Sequence, residues 1–282
     1  MSLSPSKRLL GFLDAMLRYG LILFVVFISL APFAWVLLSS FKTNVEVLES
    51  ALSWPARFSL TGYVNALTRS QFLLFFFNSL FVSSLATIAA ILVFGMAAYV
   101  LARYEFPGRN AIYAVLISSL LISLIPMQQP ITLIVRTLGL YDTRWGLILV
   151  YAVKGLPVAI FVMHSYFKSL PKELEEAAVL DGASFMQTYT RVMLPLTTPA
   201  IASAGVLIFL NSWNEFLFAL PLTQSEETRT LSYALRFFVN TFSYDYPTLL
   251  AAVVLTLLPS IVIYVLLQEQ IHKSLVGGAI KG

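Results

Sequence analysis

The residues best suited to bind another protein form a polar segment, residues 168–197, between two long apolar segments. Its charged side chains cannot lie in hydrocarbon, and they are available to a partner. They include Lys172, Glu173, Glu175, Glu176, Asp181 and Arg191. Gly182 suits the left-handed position that ends a helix, and Ser184 and Gln187 have the spacing of a capping box that starts another. The pattern therefore predicts two short helices separated by a break, ordered enough to serve as a docking site. A solvated helical hairpin with no partner is the alternative.

Small, acidic and apolar residues recur at fixed spacing in this segment: Glu176, Ala177, Ala178, Asp181, Gly182, Leu194 and Pro195. The pattern resembles the EAA loop of ABC importer permeases, although Val192 stands where that family usually has Ile. The resemblance implies a type I ABC importer permease fold with a cytoplasmic coupling loop. It also implies that these seven residues contact and couple to a partner ATPase.

Residues for a catalytic or metal site are missing. The chain has no cysteine and only His164 and His272, and it contains no G-x-x-x-x-G-K-[ST] loop to cradle a nucleotide. We therefore predict no catalytic residue, no metal ligand and no cofactor in this chain. By the resemblance, ATP and Mg²⁺ would be bound by the partner ATPase.

The composition indicates an all-α polytopic membrane protein. Of 282 residues, 59% are hydrophobic and 11% charged, where soluble domains carry roughly 25% charged residues. Hydropathy predicts about six spans, near 19–39, 76–101, 111–128, 146–167, 198–220 and 249–267. We expect one membrane domain, 1–282, with core spans over 76–267. An amphipathic surface helix over 1–18 and a tail over 268–282 would flank it.

The first span has a rival interpretation as a signal peptide, but its apolar run of about twenty residues is longer than the usual signal core. With the N-terminus inside, ten Lys and Arg residues fall in inner segments and seven in outer loops. This bias predicts that both termini and the segment 168–197 are cytoplasmic. The resemblance implies the cell membrane of a bacterium or archaeon. The net charge of +4 shows no patch suited to nucleic acid.

The C-terminal tail indicates which subfamily of importer permeases the chain resembles. Gly277, Gly278, Lys281 and Gly282 resemble the tail of maltose-type carbohydrate importers, which implies a contact with the ATPase. A frayed, solvated terminus is the alternative. Three further motifs look like the same subfamily: Ser40-Phe41-Lys42, Asn78-Ser79 and Ser212-Trp213-Asn214-Glu215.

Polar residues inside the fourth and fifth spans mark a candidate substrate path: Tyr151, Lys154, Asn211, Trp213, Asn214 and Glu215. Lys154 and Glu215 come at comparable depth, so an ion pair is expected. Aromatic faces and amides suit a sugar. The alternative is a purely structural ion pair, with Trp213 as an interfacial anchor.

An outer loop before the last span contains Tyr244, Asp245 and Tyr246. By resemblance these residues would contact an extracellular or periplasmic solute-binding protein, and a folded outer cap is the alternative. Together the motifs predict the permease subunit of a binding-protein-dependent importer for a sugar or oligosaccharide. Its expected partners are a second, different permease, an ATPase dimer, the binding protein and membrane lipid.

Two other functions remain open from the sequence. The solute could be something other than a sugar, because the EAA loop is shared by importers of many solutes. An ion-coupled secondary transporter would need several acidic or His residues at mid-membrane and usually an internal repeat. Glu215 alone gives that reading little support.

Overall fold

The computed structural model describes residues 5–50, 52–68, 71–233, 235 and 245–279, and every regular element in those ranges is helical. The α-helices are α1 Pro5–Ser39, α2 Asn44–Glu49, α3 Thr61–Thr68, α4 Phe72–Arg103, α5 Arg109–Ser118, α6 Gln128–Thr137, α7 Arg144–Ser169, α8 Glu173–Leu180, α9 Phe185–Gln187, α10 Leu194–Leu196, α11 Thr198–Trp213, α12 Ala219–Leu222 and α13 Tyr246–Ala279. A 3-10 turn, Ser119–Leu121, follows α5, and a π-helical turn, Thr188–Met193, joins α9 to α10.

Four helical stretches in the described ranges are long and apolar enough to cross a bilayer: Asp14–Ser39, Phe72–Arg103, Arg144–Ser169 and Tyr246–Glu269. They correspond to the first, second, fourth and sixth predicted spans. A fifth crossing is possible if Phe185–Leu196 and Thr198–Trp213, which meet at 77°, act as one bent span.

The third and fifth predicted spans differ from the observed elements. The third, expected near 111–128, is a shorter apolar helix that ends at Leu121, and the chain starts α6 only at Gln128. Pro126 lies in the gap; proline lacks the N–H that a helix interior needs. The fifth, expected over 198–220, ends at Trp213 and restarts as the short α12.

The N-terminal prediction also needs correction. Residues 1–18 were expected to form a surface helix separate from the first span, but α1 runs from Pro5 to Ser39 as one helix. No proline interrupts the expected boundary near residue 18, and Pro32 lies further along, inside the helix.

The chain packs as two compact units, residues 1–70 with 238–255 and residues 71–237 with 256–282. In the larger unit, close packing of α4, α7 and α11 depends on small residues. A Cβ built at Gly155 of α7 would lie 2.9 Å from Cγ2 of Ile208 and 3.2 Å from Cβ of Ala90. Ala86, Ala159 and Ala204 are likewise fully buried. Small residues let apolar helices approach closely, which is how helices associate without a hydrophobic driving force from water.

The smaller unit gives the Ser40-Phe41-Lys42 motif a structural explanation. The Ser40 and Tyr63 hydroxyls are 2.7 Å apart, and the Phe41 ring packs against Phe58 and Tyr63. Lys42 is 2% exposed, and its ammonium donates to the carbonyl of Ser50 at 3.0 Å. The three residues of the motif thus stabilise the chain just after α1 ends.

Candidate functional site

The EAA segment, residues 168–197, forms two helical pieces around a tight break. The first, α8, ends in a Schellman motif: the N–H of Gly182 donates to Val179 and that of Ala183 donates to Ala178. Gly182 has φ +78°, as this motif requires. The predicted capping box is present, with Ser184 N–H donating to Gln187 Oε1 at 2.8 Å and Gln187 N–H donating to Ser184 Oγ at 3.4 Å. The expected helix–break–helix is confirmed.

A bend connects this segment to α11. Pro195 offers no N–H to the carbonyl of Arg191, and the preceding turn, Thr188–Met193, is π-helical, a form often found at functional sites. Thr197 is fully buried at the corner, and its hydroxyl donates to the carbonyl of Met193 at 2.6 Å. The corner is therefore an ordered joint between the EAA segment and α11.

Arg103, the last residue of α4, anchors the other side of the segment. Its Nε lies 2.7 Å from Oε2 of Glu175, and the two side chains are 4% and 18% exposed. The contact is a close ion pair, although the N–H does not point along a hydrogen-bond axis to the oxygen. Two further guanidinium nitrogens donate to the carbonyls of Leu170 and Pro171 at 3.0 and 2.9 Å. The Arg103 side chain thus contacts both α8 and the residues that precede it.

A cluster of aromatic rings fixes the same junction. The ring of Tyr99 in α4 lies 5.3 Å from that of Phe167 in α7, 5.1 Å from Tyr189 and 5.7 Å from Phe185. Tyr99 is fully buried at the centre of this cluster. These contacts pack the EAA segment against the ends of two spanning helices.

The face of α8 turned away from this junction is exposed and mixed in character. Glu176 and Ala177 are exposed, Val179 is 64% exposed and Leu180 is 87% exposed, while Ala178 is buried against the junction. A charged and apolar surface on a firmly anchored helix fits a protein interface better than a solvated turn.

At the opposite end of the larger unit, the chain after α12 is pinned to α4 and α7. Asn78 donates to the carbonyls of Glu227 and Arg229, Ser79 accepts from the N–H of Leu231, and Arg144 donates to Glu227. This explains the Asn78-Ser79 motif as a brace for the loop that follows α12.

Asp142 completes that brace. Its φ is +56°, its N–H donates to the carbonyl of Leu222, and its carboxylate accepts from the backbone of Gln224 and from Ser225 and Thr228. Burial alone would raise the pKa of Asp142, but these hydrogen bonds outweigh it and lower the pKa below its ordinary value.

Three of the six substrate-path residues line one cavity. Tyr151, Lys154 and Asn211 border a cavity of about 620 Å³ between α6, α7 and α11, whose other walls are almost wholly apolar. Nζ of Lys154 lies 3.5 Å from Oε1 of Glu215, so the expected ion pair is present. Glu215 is buried, and its two oxygens accept the N–H groups of Leu217 and Phe218 at 3.0 Å each.

The remaining two residues of that set lie apart from the cavity lining. Trp213 is 1% exposed, its indole N–H donates to the carbonyl of Thr256 at 3.1 Å, and its ring stacks on Phe209. It is an interior packing residue and not an interfacial anchor. Asn214 is exposed and donates to Leu210 at 2.9 Å. A direct contact of either with cargo stays a prediction.

The predicted tail and outer-loop sites are only partly described. The backbone of Gly277 and Gly278 continues α13, while Tyr244, Lys281 and Gly282 lie outside the described residues. Asp245 caps α13, accepting from the N–H and hydroxyl of Thr248 at 3.3 and 2.8 Å. Tyr246 is 38% exposed, so it remains accessible.

Comparison with known proteins decides the family. Residues 108–276 match the family described as the binding-protein-dependent transport system inner membrane component. The chain belongs to this family. The permease is 35% identical to the diacetylchitobiose uptake system permease of Streptomyces coelicolor over 269 residues, which are 95% of this chain and 89% of that protein. It is 32% identical to the trehalose/maltose transport system permease of Thermococcus litoralis, over 95% and 96% of the two chains.

The permease also shares its fold with a solved structure. A chain from a bacterial ABC transporter that imports the acidic polysaccharide alginate superposes with a TM-score of 0.79 at 23% identity, covering 95% of this chain and 99% of that one. The predicted fold class, an all-helical ABC importer permease, is confirmed. The protein is thus a multi-pass membrane permease subunit.

Sequence analysis missed the anchors of the EAA segment in this permease. Arg103 is one of the ten basic residues in the predicted inner segments, and Tyr99 lies within the predicted span 76–101. A basic residue at the end of a spanning helix, followed by a short loop, carries no local signal for a contact some seventy residues away. Glu175 precedes the EAA motif, so the motif itself did not indicate it.

Proposed function

We propose that the permease imports a sugar or oligosaccharide, driven by ATP hydrolysis in a separate ATPase dimer that contacts the exposed face of α8. The observation that carries the proposal is the division of that helix into two faces. Glu175 and Ala178 face the junction with α4 and α7, while Glu176, Val179 and Leu180 are exposed.

In this proposal, a force that the ATPase exerts on α8 moves the helices α4, α7 and α11. Arg103 connects α8 to the end of α4, and the rings of Tyr99 and Phe167 connect α4 and α7 to Tyr189 in the second helical piece of the segment. Thr197 holds the corner to α11. A partner that closes on α8 would move these helices as rigid bodies, because packed interiors shift as units and do not deform continuously.

The names of the relatives support a carbohydrate as cargo. The two curated relatives named above are permeases for diacetylchitobiose and for trehalose or maltose. A second structure similar in fold, at 19% identity and TM-score 0.66, is an alginate ABC transporter in complex with a periplasmic protein that carries alginate pentasaccharide. A binding protein and a second, different permease subunit are therefore the further partners that we propose.

The proposed orientation places the EAA segment in the cytoplasm. Within the larger unit, five described basic residues lie at the end that carries this segment, Arg103, Arg109, Lys168, Lys172 and Arg191, and three lie at the other end, Arg136, Arg144 and Arg229. The concentration of basic residues favours the cytoplasmic side for the EAA end. Both chain termini would then be cytoplasmic, in the cell membrane of a bacterium or archaeon.

A cysteine experiment tests orientation and coupling together, because the natural chain has no cysteine. Val179→Cys should react with a membrane-impermeant maleimide only after the membrane is opened, whereas Thr137→Cys, exposed at the far end of α6, should react in intact cells. In the assembled complex, Ala177→Cys should form a cross-link to the ATPase whose yield changes when ATP is added. Labelling of Val179→Cys from outside, or uptake without an ATPase, would refute the proposal.

A further inference from the structure

A second cavity opens at the end of the larger unit that is opposite the EAA segment. It has a volume of about 930 Å³ and shares no lining residue with the Lys154 cavity. Its walls come from α6, from the loop before α7 and from the chain around α12, and they are Gln128, Gln129, Pro130, Thr132, Leu133, Arg136, Tyr141, Leu220, Pro221, Thr223, Gln224, Arg229 and Tyr233. We call it the outer pocket.

The outer pocket is rich in hydrogen-bonding groups and lacks acids. Two arginines are among its lining residues, and no Asp or Glu is. The guanidinium of Arg136 lies 4.1 Å from the centre of the Tyr141 ring, an arrangement that holds a cation in place without neutralising its charge. Arg229 lies over Tyr233 in the same way, at 5.2 Å.

The acids nearest to these walls in the chain contact groups other than Arg136. The carboxylate of Asp142 accepts from the backbone of Gln224 and from Ser225 and Thr228. Glu226 accepts from the side-chain amide of Gln71 and lies 3.7 Å from Arg229. Glu227 is exposed and outside the lining, and no ion pair within 4.0 Å joins Arg136 to an acid in the described part of the chain. The positive charge of Arg136 is thus open to a ligand.

The glutamine side chains of the outer pocket indicate which uncharged groups a ligand would carry. Gln128 donates its amide N–H to the carbonyl of Leu217 at 2.6 Å, which fixes the side chain and leaves its oxygen as an acceptor. Gln129 and Gln224 are exposed and can donate and accept. Sugar hydroxyls require such two-way partners, and a carboxylate on the same sugar is matched by a guanidinium fork.

We propose that the outer pocket binds a sugar unit that carries an anionic substituent, such as a uronate, with Arg136 contacting the anionic group. This inference rests on the proposed function as a sugar importer and adds the substrate class and the residue that selects it. The pocket lies where cargo would arrive, because α7 runs for about 39 Å, at 1.5 Å per residue, between the neighbourhood of Tyr141 and the EAA segment.

The test compares two disaccharides that differ only in charge. The assembled transporter, with its ATPase and second permease in nanodiscs but without binding protein, is titrated calorimetrically with cellobiouronic acid and with neutral cellobiose. A charge-assisted contact should make the acid bind about tenfold more tightly. Arg136→Gln should abolish that preference, and Arg136→Lys should retain part of it. Arg109→Gln, a change of the same charge at the EAA end, should leave the preference intact.

Other outcomes separate the competing explanations. Gln129→Leu should weaken both disaccharides equally, because it removes a hydroxyl partner and no charge. Equal binding of the two sugars by the unaltered transporter, or a preference that survives Arg136→Gln, would overturn the inference. None of these outcomes affects cross-linking of Ala177→Cys to the ATPase, so a failure here is distinguishable from failure of the proposed function.

Discussion

Arg103 and Glu175 approach to 2.7 Å between Nε and Oε2, and through this pair the last residue of α4 holds the first turn of α8. Breaking a largely buried pair from one side leaves the other charge uncompensated, at a cost of about 3–5 kcal/mol. Here the partial exposure of Glu175 reduces that figure. The pair therefore matters for the position of α8 more than for global stability.

Our first prediction is that Arg103→Gln uncouples ATP hydrolysis from uptake. The variant loses the ion pair and the two contacts to the carbonyls of Leu170 and Pro171. We expect a fall in uptake of about tenfold, which corresponds to about 1.4 kcal/mol in positioning α8. The ratio of solute molecules moved to ATP hydrolysed, measured in proteoliposomes, should fall with it.

Charge rescue distinguishes a positioning role from a folding defect. Arg103→Lys keeps the charge but not the planar fork, so its transport ratio should be intermediate. Glu175→Gln should lower the ratio, while Glu173→Gln, an exposed neighbour, should lower it less. An unchanged ratio in Arg103→Gln would show that the contacts of Arg103 do not set the position of α8.

The second prediction concerns Gly182, whose φ is +78° and whose Cβ position has no atom within 4 Å. Replacing it by Val creates no clash, so the cost is backbone strain alone, roughly 1–2 kcal/mol. We expect reduced uptake and a weaker cross-link to the ATPase, with Asn tolerated better than Val.

Gly108 provides the matched control for that change. It has φ +84° and equally open space, but it lies between α4 and α5. Gly108→Val should carry the same strain and leave the cross-link of Ala177→Cys unchanged. Equal loss of cross-linking in both variants would mean that general strain, and not the shape of the EAA segment, is responsible.

Local signals in the sequence were enough to predict the EAA segment. A capping box needs only residues three apart, and a left-handed helix end needs only a glycine, so Ser184, Gln187 and Gly182 predicted the observed break. The pair of Lys154 with Glu215 was also predictable, because two ions at one depth in an apolar environment need each other.

Contacts between distant elements were not predictable in the same way. Nothing near Arg103 in the sequence points to Glu175, and nothing near Asn78 points to the carbonyl of Glu227. The third span was overestimated because a hydropathy average over a window does not register the break between Leu121 and Gln128. The outer pocket was missed because its walls come from three separate segments.

The third prediction is a pH dependence at Asp142. Because hydrogen bonds lower its folded pKa, the charged carboxylate stabilises the loop at pH values above the ordinary pKa of 3.8, and this contribution is lost as the pH falls through the folded pKa. Asp142→Asn should therefore lower the melting temperature at pH 7, and the difference from wild type should shrink towards pH 3. Asp14→Asn, which breaks an exposed pair with Arg18, should give almost no difference at either pH.

The fourth prediction concerns the packing of α7 at Gly155. A methyl group there would meet Ile208 at 2.9 Å and Ala90 at 3.2 Å, and overpacking of this kind costs about 1–3 kcal/mol. Gly155→Ala should lower the melting temperature in detergent, whereas Gly20→Ala, with no atom within 4 Å, should not. Wild-type stability in Gly155→Ala would show that α7 and α11 can separate slightly without cost.

The last prediction separates structure from transport at Lys154 and Glu215. Glu215 is 3% exposed and accepts two backbone N–H groups at the break after α11, whereas Lys154 is 21% exposed and lines the 620 Å³ cavity. Glu215→Gln should therefore act mainly on stability, by about 1–3 kcal/mol, since one backbone N–H loses its acceptor. Lys154→Met leaves a buried carboxylate without its cation, so the double variant should lose less stability than the two single variants combined. If Lys154 also contacts cargo, uptake by the double variant stays low after correction for the amount of folded transporter. Additive stability losses would show that the two side chains, 3.5 Å apart, are not energetically coupled.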